Sequence, residues 1–234
     1  MAWREAAKKR AAARAVELIK DGSVIGLGAG STVAFAVNEL GRRMREENLR
    51  VQVVPSSNQT QKIAVECGFP ITTLDKHPSL ELDIDGADQI DADLNLIKGM
   101  GGALTREKIV AQSSKALIIV GDETKLTDAL GRNQPLPVEV LPFALPLVAS
   151  KIRALGGKPV LKMSRDGSGP FVTDNGNSIF NVDFGIIKNP TKLDHQLKNI
   201  SGVIETGLFL GMAETAYVGT ETGVKVLRKK VVNR

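Results

Sequence analysis

The sequence predicts an α/β fold: a Rossmann-like parallel-sheet domain carrying an inserted ferredoxin-like α+β domain of order βαββαβ. Three observations carry that expectation. From Ser23 onward, short apolar runs alternate with helical patterns in the order βαβαβ. The run Ala116 to Val120 (ALIIV) lacks polar alternation, as in a strand covered on both faces. Beyond about Gln134 prolines cluster and the elements follow a different order, βαββαβ. The expected division gives residues 1–133 and 209–234 to the Rossmann-like domain and 134–208 to the small one. A cleft between two such units is a usual ligand site.

Taken in order, residues 4–20 are alanine-rich, with Ala7, Ala11, Ala15, Leu18 and Ile19 near i, i+4 spacing, and Gly22 stops the pattern. Ser23 to Leu27 reads as a strand, and Thr32, Phe35, Ala36, Leu40 and Met44 mark the helix after a glycine-rich turn. Val51 to Val54, Ile71 to Leu74 and Leu80 to Ile84 read as further strands, with a helix at 60–67. A helix over 104–113 precedes ALIIV. In the small domain the expected elements are strands at 138–141, 159–163, 178–182 and 203–208, and helices at 145–155 and 191–199. Short strands at 216–218 and 223–227 return to the first sheet.

The 234 residues hold 31 Lys plus Arg against 26 Asp plus Glu, a formal charge of +5. The surplus is terminal. Residues 1–20 carry six basic and two acidic side chains, and 225–234 carry five basic and none acidic, so the body, 21–224, has 20 basic against 24 acidic. That body, with only 4% aromatics, argues against a nucleic-acid surface, which needs clustered Lys and Arg on one face. The longest apolar-looking stretch, 136–152, contains Glu139 and three prolines, too short and too broken to span a bilayer. A single cysteine, Cys67, allows no disulfide within the chain and fits a reducing compartment, so a cytoplasmic protein is expected. His77 and His195 lie far apart without a second Cys or His nearby, so no zinc site is expected.

Three segments carry chemistry. In Gly26-Leu-Gly28-Ala29-Gly30-Ser31-Thr32, between strand and helix, glycines allow a tight turn and backbone N–H groups at a helix N-terminus suit an anion. The spacing is one residue short of G-x-G-x-x-G, the next strand ends without a ribose-binding acid, and no Gly-Lys-Ser/Thr follows. A phosphate monoester fits better than a dinucleotide; a plain βα turn with Ser31 as N-cap is the competing reading. Asp85-Gly86-Ala87-Asp88 places two carboxylates at a strand's C-terminal end, where ligands bind in open α/β sheets. Neither register of the acidic run supplies the Gly and Glu of a calcium loop, and Asp91 and Asp93 read as solvated turn residues. Lys98-Gly99-Met100-Gly101-Gly102 then adds a cation and a glycine loop before a helix whose first turn holds Glu107. A base, a cation and a carboxylate pair are the parts needed to remove a proton beside a carbonyl and stabilise an enediolate.

Together GLGAGST at 26–32, DGAD at 85–88, KGMGGALTREKIVA at 98–111, GDETK at 121–125, LPVEVLPFA at 136–144 and TDNGN at 173–177 resemble the type A ribose-5-phosphate isomerase family. The resemblance covers nearly the whole chain. It implies interconversion of D-ribose 5-phosphate and D-ribulose 5-phosphate in the non-oxidative pentose phosphate pathway, with no metal or organic cofactor and a homodimer or homotetramer. It casts Glu107 as the proton-moving base, Asp85 and Asp88 as hydroxyl-binding and ring-opening groups, and Lys98 as the cation beside the enediolate. Gly86, Ala87, Gly99, Met100 and Gly101 would frame them, Ala29, Gly30, Ser31 and Thr32 would line the phosphate end, and Lys125 would close the site. Ala29 stands where the family often has Thr, and Met100 where it usually has Gly; Met100 must then keep its side chain off the substrate. TDNGN reads as a turn. A sugar-phosphate sensor without catalysis, or an acyl-CoA-type transferase on a related sheet, are the other classes compatible with the fold. The retained Glu107, Asp85, Asp88 and Lys98 favour the isomerase.

Overall fold

The computed structural model describes residues 2–229. Lys230 and Arg234, two of the basic residues counted in the C-terminal segment, lie outside the described residues. The main sheet has six strands: β1 (Ser23–Leu27), β2 (Val51–Pro55), β3 (Leu82–Gly86), β6 (Leu117–Asp122), β12 (Ala213–Gly219) and β13 (Val224–Arg228). Its order is β13-β12-β6-β3-β1-β2, and every pairing is parallel except β12 with β13. The strand expected at Ile71 to Leu74 is reduced to one parallel bridge between Ile71 and Val53, at the outer edge of β2. With that bridge counted as a vestigial edge, the order is that of a doubly wound sheet, and the chain reverses direction of travel between β1 and β3.

Helix α1 (Ala2–Val16) lies on β6 and β12 and against α2 (Ser31–Glu46). It ends at Val16, four residues short of the expected Lys20, because the turn into Gly22, at φ 78°, begins there. Ala7, Ala11, Ala12, Ala15 and Val16 are fully buried. Small side chains let the helix sit very close: a Cβ on Gly219 would lie 2.0 Å from the Ala7 carbonyl oxygen. Leu18, expected in the apolar stripe, is instead 40% exposed. Helix α3 (Asn58–Glu66) packs beside β2, capped by Ser57 accepting from the Thr60 N–H. Helix α4 (Leu104–Gln112) lies against β1 and β3 and also touches a second sheet.

That sheet is antiparallel, with order β10-β7-β9-β8, built from β7 (Leu136–Val140), β8 (Lys158–Leu161), β9 (Ser178–Asp183) and β10 (Val203–Thr206). With α5 (Leu145–Ala154) and α6 (Pro190–Lys198) it forms the βαββαβ unit in the ferredoxin-like strand order. Pro146 and Pro190 occupy first-turn positions, where a missing N–H leaves no helical bond unmade. The two sheets bury separate apolar clusters, one around Ile25, Leu40 and Ile84, the other around Val138, Val148 and Val182.

A third, small sheet joins them: β4 (Gln89–Ile90), β5 (Leu96–Ile97) and β11 (Leu208–Phe209), in the order β11-β5-β4. The strand expected over 203–208 is thereby split at Gly207, whose N–H donates to the Pro137 carbonyl while its own carbonyl accepts from the Lys98 N–H. The β4–β5 hairpin is closed by Asp91, whose carboxylate accepts from the N–H groups of Asp93 and Asn95 and from the Asn95 side chain.

Candidate functional site

The C-terminal ends of β1 and β3 diverge at the reversal point, and their loops face the loop leading into α4. Between them lies a cavity of about 590 Å³. Ala29, Gly30, Ser31 and Thr32 form one wall, Gly86, Ala87 and Asp88 the floor, and Lys98, Gly99, Gly101 and Glu107 the opposite side, with Lys125 at the rim. Asp85 stands directly behind the floor, fully buried.

Each position has a local cause. Gly28 is required because a Cβ there would lie 1.8 Å from Asp85 Oδ1, so the glycine makes room for the carboxylate. Gly26 does the same one step earlier, opposite Asp83 and Val110. Gly30, at φ 108°, is the N-cap of α2, and Ser31 is the first helical residue, so the reading of Ser31 as N-cap does not hold. Gly99, at φ 100°, and Gly102, at φ 95°, shape the second loop; their absent Cβ atoms leave room for Leu104 and Phe171. Met100 has no such left-handed backbone and does not line the cavity. It reaches the site through its backbone: its N–H donates to Asp88 Oδ2 at 3.0 Å, and its carbonyl accepts from Lys162 Nζ.

Lys98 is the hub. Its ammonium is 2.8 Å from Asp85 Oδ2, 3.3 Å from Glu107 Oε2, and donates to the Gly86 carbonyl at 2.6 Å. Asp85 Oδ1 accepts from the Gly86 and Ala29 N–H groups. Lys98 also lies 5.3 Å from the centre of the buried Phe209 ring, where a cation is favoured. Four carboxyl groups, Asp83, Asp85, Asp88 and Glu107, thus surround one buried ammonium. Burial pushes Glu107 up to about 8, with the Asp85 charge adding to the rise and Lys98 opposing it. Burial also raises Asp85, against the pull of Lys98. Asp83, whose two oxygens find no hydrogen-bond partner among the described residues, is raised further by burial and by Asp85. Burial disfavours the Lys98 charge, but Asp85 and Glu107 outweigh it and hold Lys98 above the usual lysine range.

The cavity also contains side chains that the sequence reading missed. Lys8, from the N-terminal basic segment, reaches from α1 to the Ser31 hydroxyl, 3.0 Å away, and stands 4.0 Å from Asp122. Part of the terminal charge surplus thus reaches the site, because α1 packs against α2. Arg165, Phe171 and Asp174 enter from the small sheet's side. No local spacing singles them out; only the packing of the two sheets brings them in.

An α/β enzyme with a reversal-point cavity and a buried lysine paired with a buried glutamic acid is the class defined by this fold and site. A family model, ribose 5-phosphate isomerase A (phosphoriboisomerase A), matches residues 52–223. The ribose-5-phosphate isomerase A proteins of Methanosarcina acetivorans and Methanothermobacter thermautotrophicus are each 47% identical to this chain, covering 95% and 94% of it and 94% and 97% of their own lengths. Among solved structures, ribose 5-phosphate isomerase A from Methanocaldococcus jannaschii superposes with a TM-score of 0.92 at 42% identity, over 96% of this chain and 99% of that one. A D-ribose-5-phosphate isomerase in complex with phospho-erythronic acid gives 0.94 at 40% identity, with the same coverage of both chains. The chain belongs to the ribose 5-phosphate isomerase A family and is an isomerase.

Proposed function

We propose that the chain interconverts D-ribose 5-phosphate and D-ribulose 5-phosphate through an enediolate, with Glu107 as the general base. The observation that carries this reading is the pairing of Glu107 with Lys98 at 3.3 Å on one wall of the cavity. In the aldose-to-ketose direction the Glu107 carboxylate takes the proton from C2, the electron pair forms the C1–C2 double bond, and the negative charge moves to O1 beside Lys98. The protonated Glu107 then returns its proton to C1, while the hydroxyl proton moves from O2 to O1. Asp88, at the floor, is placed to carry that hydroxyl proton and to assist ring opening, and Asp85 holds Lys98 in position. A base titrating near the working pH combines a useful ionised fraction with adequate basicity.

The phosphate would sit at the other end, on the N-terminus of α2 with its free N–H groups, the Ser31 and Thr32 hydroxyls, and the ammonium groups of Lys8 and Lys125. Phospho-erythronic acid, the ligand of the 40% identical structure, carries a carboxylate and a phosphate on one polyol chain, the charge pattern of an enediolate phosphate. The product chemistry fits the non-oxidative branch of the pentose phosphate pathway. The assembly we propose is a homodimer or homotetramer.

Replacing Glu107 by Gln keeps the shape and removes the base. Turnover is expected to fall by about 10²- to 10⁴-fold, with sugar-phosphate affinity retained in a direct binding measurement. Near-normal ketose formation by the variant would sink the assignment.

A further inference from the structure

Glu139 is the one charged side chain in the otherwise apolar strand β7, and it is fully buried. Strand alternation turns Leu136, Val138 and Val140 into the small domain's core, so Glu139 faces the other way, toward α4. Leaving a carboxylate there unsatisfied would be costly. Four uncharged donors converge on it: the Thr105 hydroxyl on Oε2 at 2.5 Å, and on Oε1 the Thr173 hydroxyl at 2.9 Å and the side-chain amides of Asn175 and Asn177 at 3.1 and 2.9 Å. The TDNGN segment is therefore not a plain hairpin turn; it is folded around a carboxylate supplied by another strand.

The partners matter because of where Thr105 stands. It lies in the first turn of α4, two residues before Glu107, so the two side chains leave the helix on different sides, one toward β7 and one into the cavity. The N-cap of α4, Ala103, offers no side-chain hydrogen bond to that turn. Arg106, between them, fastens the turn to the same segment, donating to Asn175 Oδ1 at 2.8 Å and the Asp174 carbonyl at 2.7 Å. Asp174 in turn accepts from the Asn58 N–H at the start of α3.

We propose that Glu139 is a positioning residue: through Thr105 it fixes the uncapped first turn of α4, and so the placement of Glu107 against Lys98 and the reacting carbons. The proposal rests on the reading of Glu107 as the base. A displacement of about 1 Å at a reacting group can cost on the order of 10²-fold in rate, so a helix turn held by side chains from another sheet is a point of control.

The test compares Thr105→Val, which keeps the shape and removes the donor, Thr105→Ser, which keeps the hydroxyl, and Glu139→Gln, with folding checked by thermal unfolding. Thr105→Val and Glu139→Gln should each lower kcat by about 10- to 100-fold with KM within about 3-fold of wild type, and Thr105→Ser should restore most of kcat. The double variant Thr105→Val/Glu139→Gln should be no worse than the more impaired single variant, since both weaken one linkage. A folded Thr105→Val protein with wild-type kcat would overturn the proposal, as would losses that add in the double variant. If Glu139→Gln does not fold, the Thr105 pair decides alone. Collapse of turnover in Glu107→Gln with normal kcat in Thr105→Val removes only the positioning role, whereas normal turnover in Glu107→Gln removes the base and with it this proposal.

Discussion

Lys8 and Glu107 show the two kinds of residue that make up this site. Glu107, Lys98, Asp85 and Asp88 stand within 23 positions of one another, each beside a glycine loop, and the chemistry of such loops at strand ends makes them readable in one dimension. Lys8 is one of six basic side chains in the first 20 residues, and nothing in the spacing separates it from Lys9 or Arg10. Only the crossing of α1 over the α2 N-terminus brings it to Ser31. Glu139 was equally hidden, since its donors at 105 and 173–177 meet it only in the folded chain. The position of Lys8 carries a prediction. A charge-assisted bond to phosphate is worth about 1.5–3 kcal/mol, so Lys8→Met should raise KM by roughly 10- to 100-fold and leave kcat within a few-fold. Steady-state kinetics decide it; a fall in kcat at unchanged KM would remove Lys8 from the phosphate end.

At the scale of elements, the strands buried on both faces were the easiest to read, because apolar runs such as ALIIV have no other use in a chain this polar. What failed were edges and joints. Ile71 to Leu74 has strand composition but lies outermost, where one bridge is all that its neighbour supports. The β4–β5 hairpin is too short to show any period. The run 203–208 breaks at Gly207 because a Cβ there would lie 2.3 Å from the Lys98 carbonyl oxygen, a contact no local pattern encodes. The α1–β12 contact is a joint of the same type and links fold to function. Gly219→Ala would set a methyl 2.0 Å from the Ala7 carbonyl, pushing α1 away from the sheet and carrying Lys8 with it. Overpacking of this kind costs about 1–3 kcal/mol. The variant should unfold at lower temperature and also show a raised KM, whereas a stability loss at unchanged KM would mean that Lys8 compensates for the shift of its helix.

For the molecule as a whole, the site opposes the fold. Glu107 holds its proton up to about 8 when folded, whereas an ordinary glutamate gives it up near 4.5. Between those values the native chain binds more protons than the unfolded one, so stability falls as pH rises through that window and levels off above it. One such group contributes a slope of at most about 1.4 kcal/mol per pH unit. Asp83, raised by burial and by the Asp85 charge, acts in the same direction. Under the proposed mechanism catalysis runs the other way: Glu107 must be ionised to accept the C2 proton, so kcat/KM of the free enzyme should climb with pH toward a plateau beyond about 8. If Glu107 is the base, the ionisation that permits turnover is thus the one that loosens the fold. Thermal unfolding followed from about pH 5 to about pH 8 should show a falling midpoint in the wild type and a shallower fall in Glu107→Gln, which no longer has the proton to lose. Identical slopes in the two proteins would mean that Glu107 ionises at its ordinary value in the fold, and the kinetic limb near 8 would then have to belong to another group.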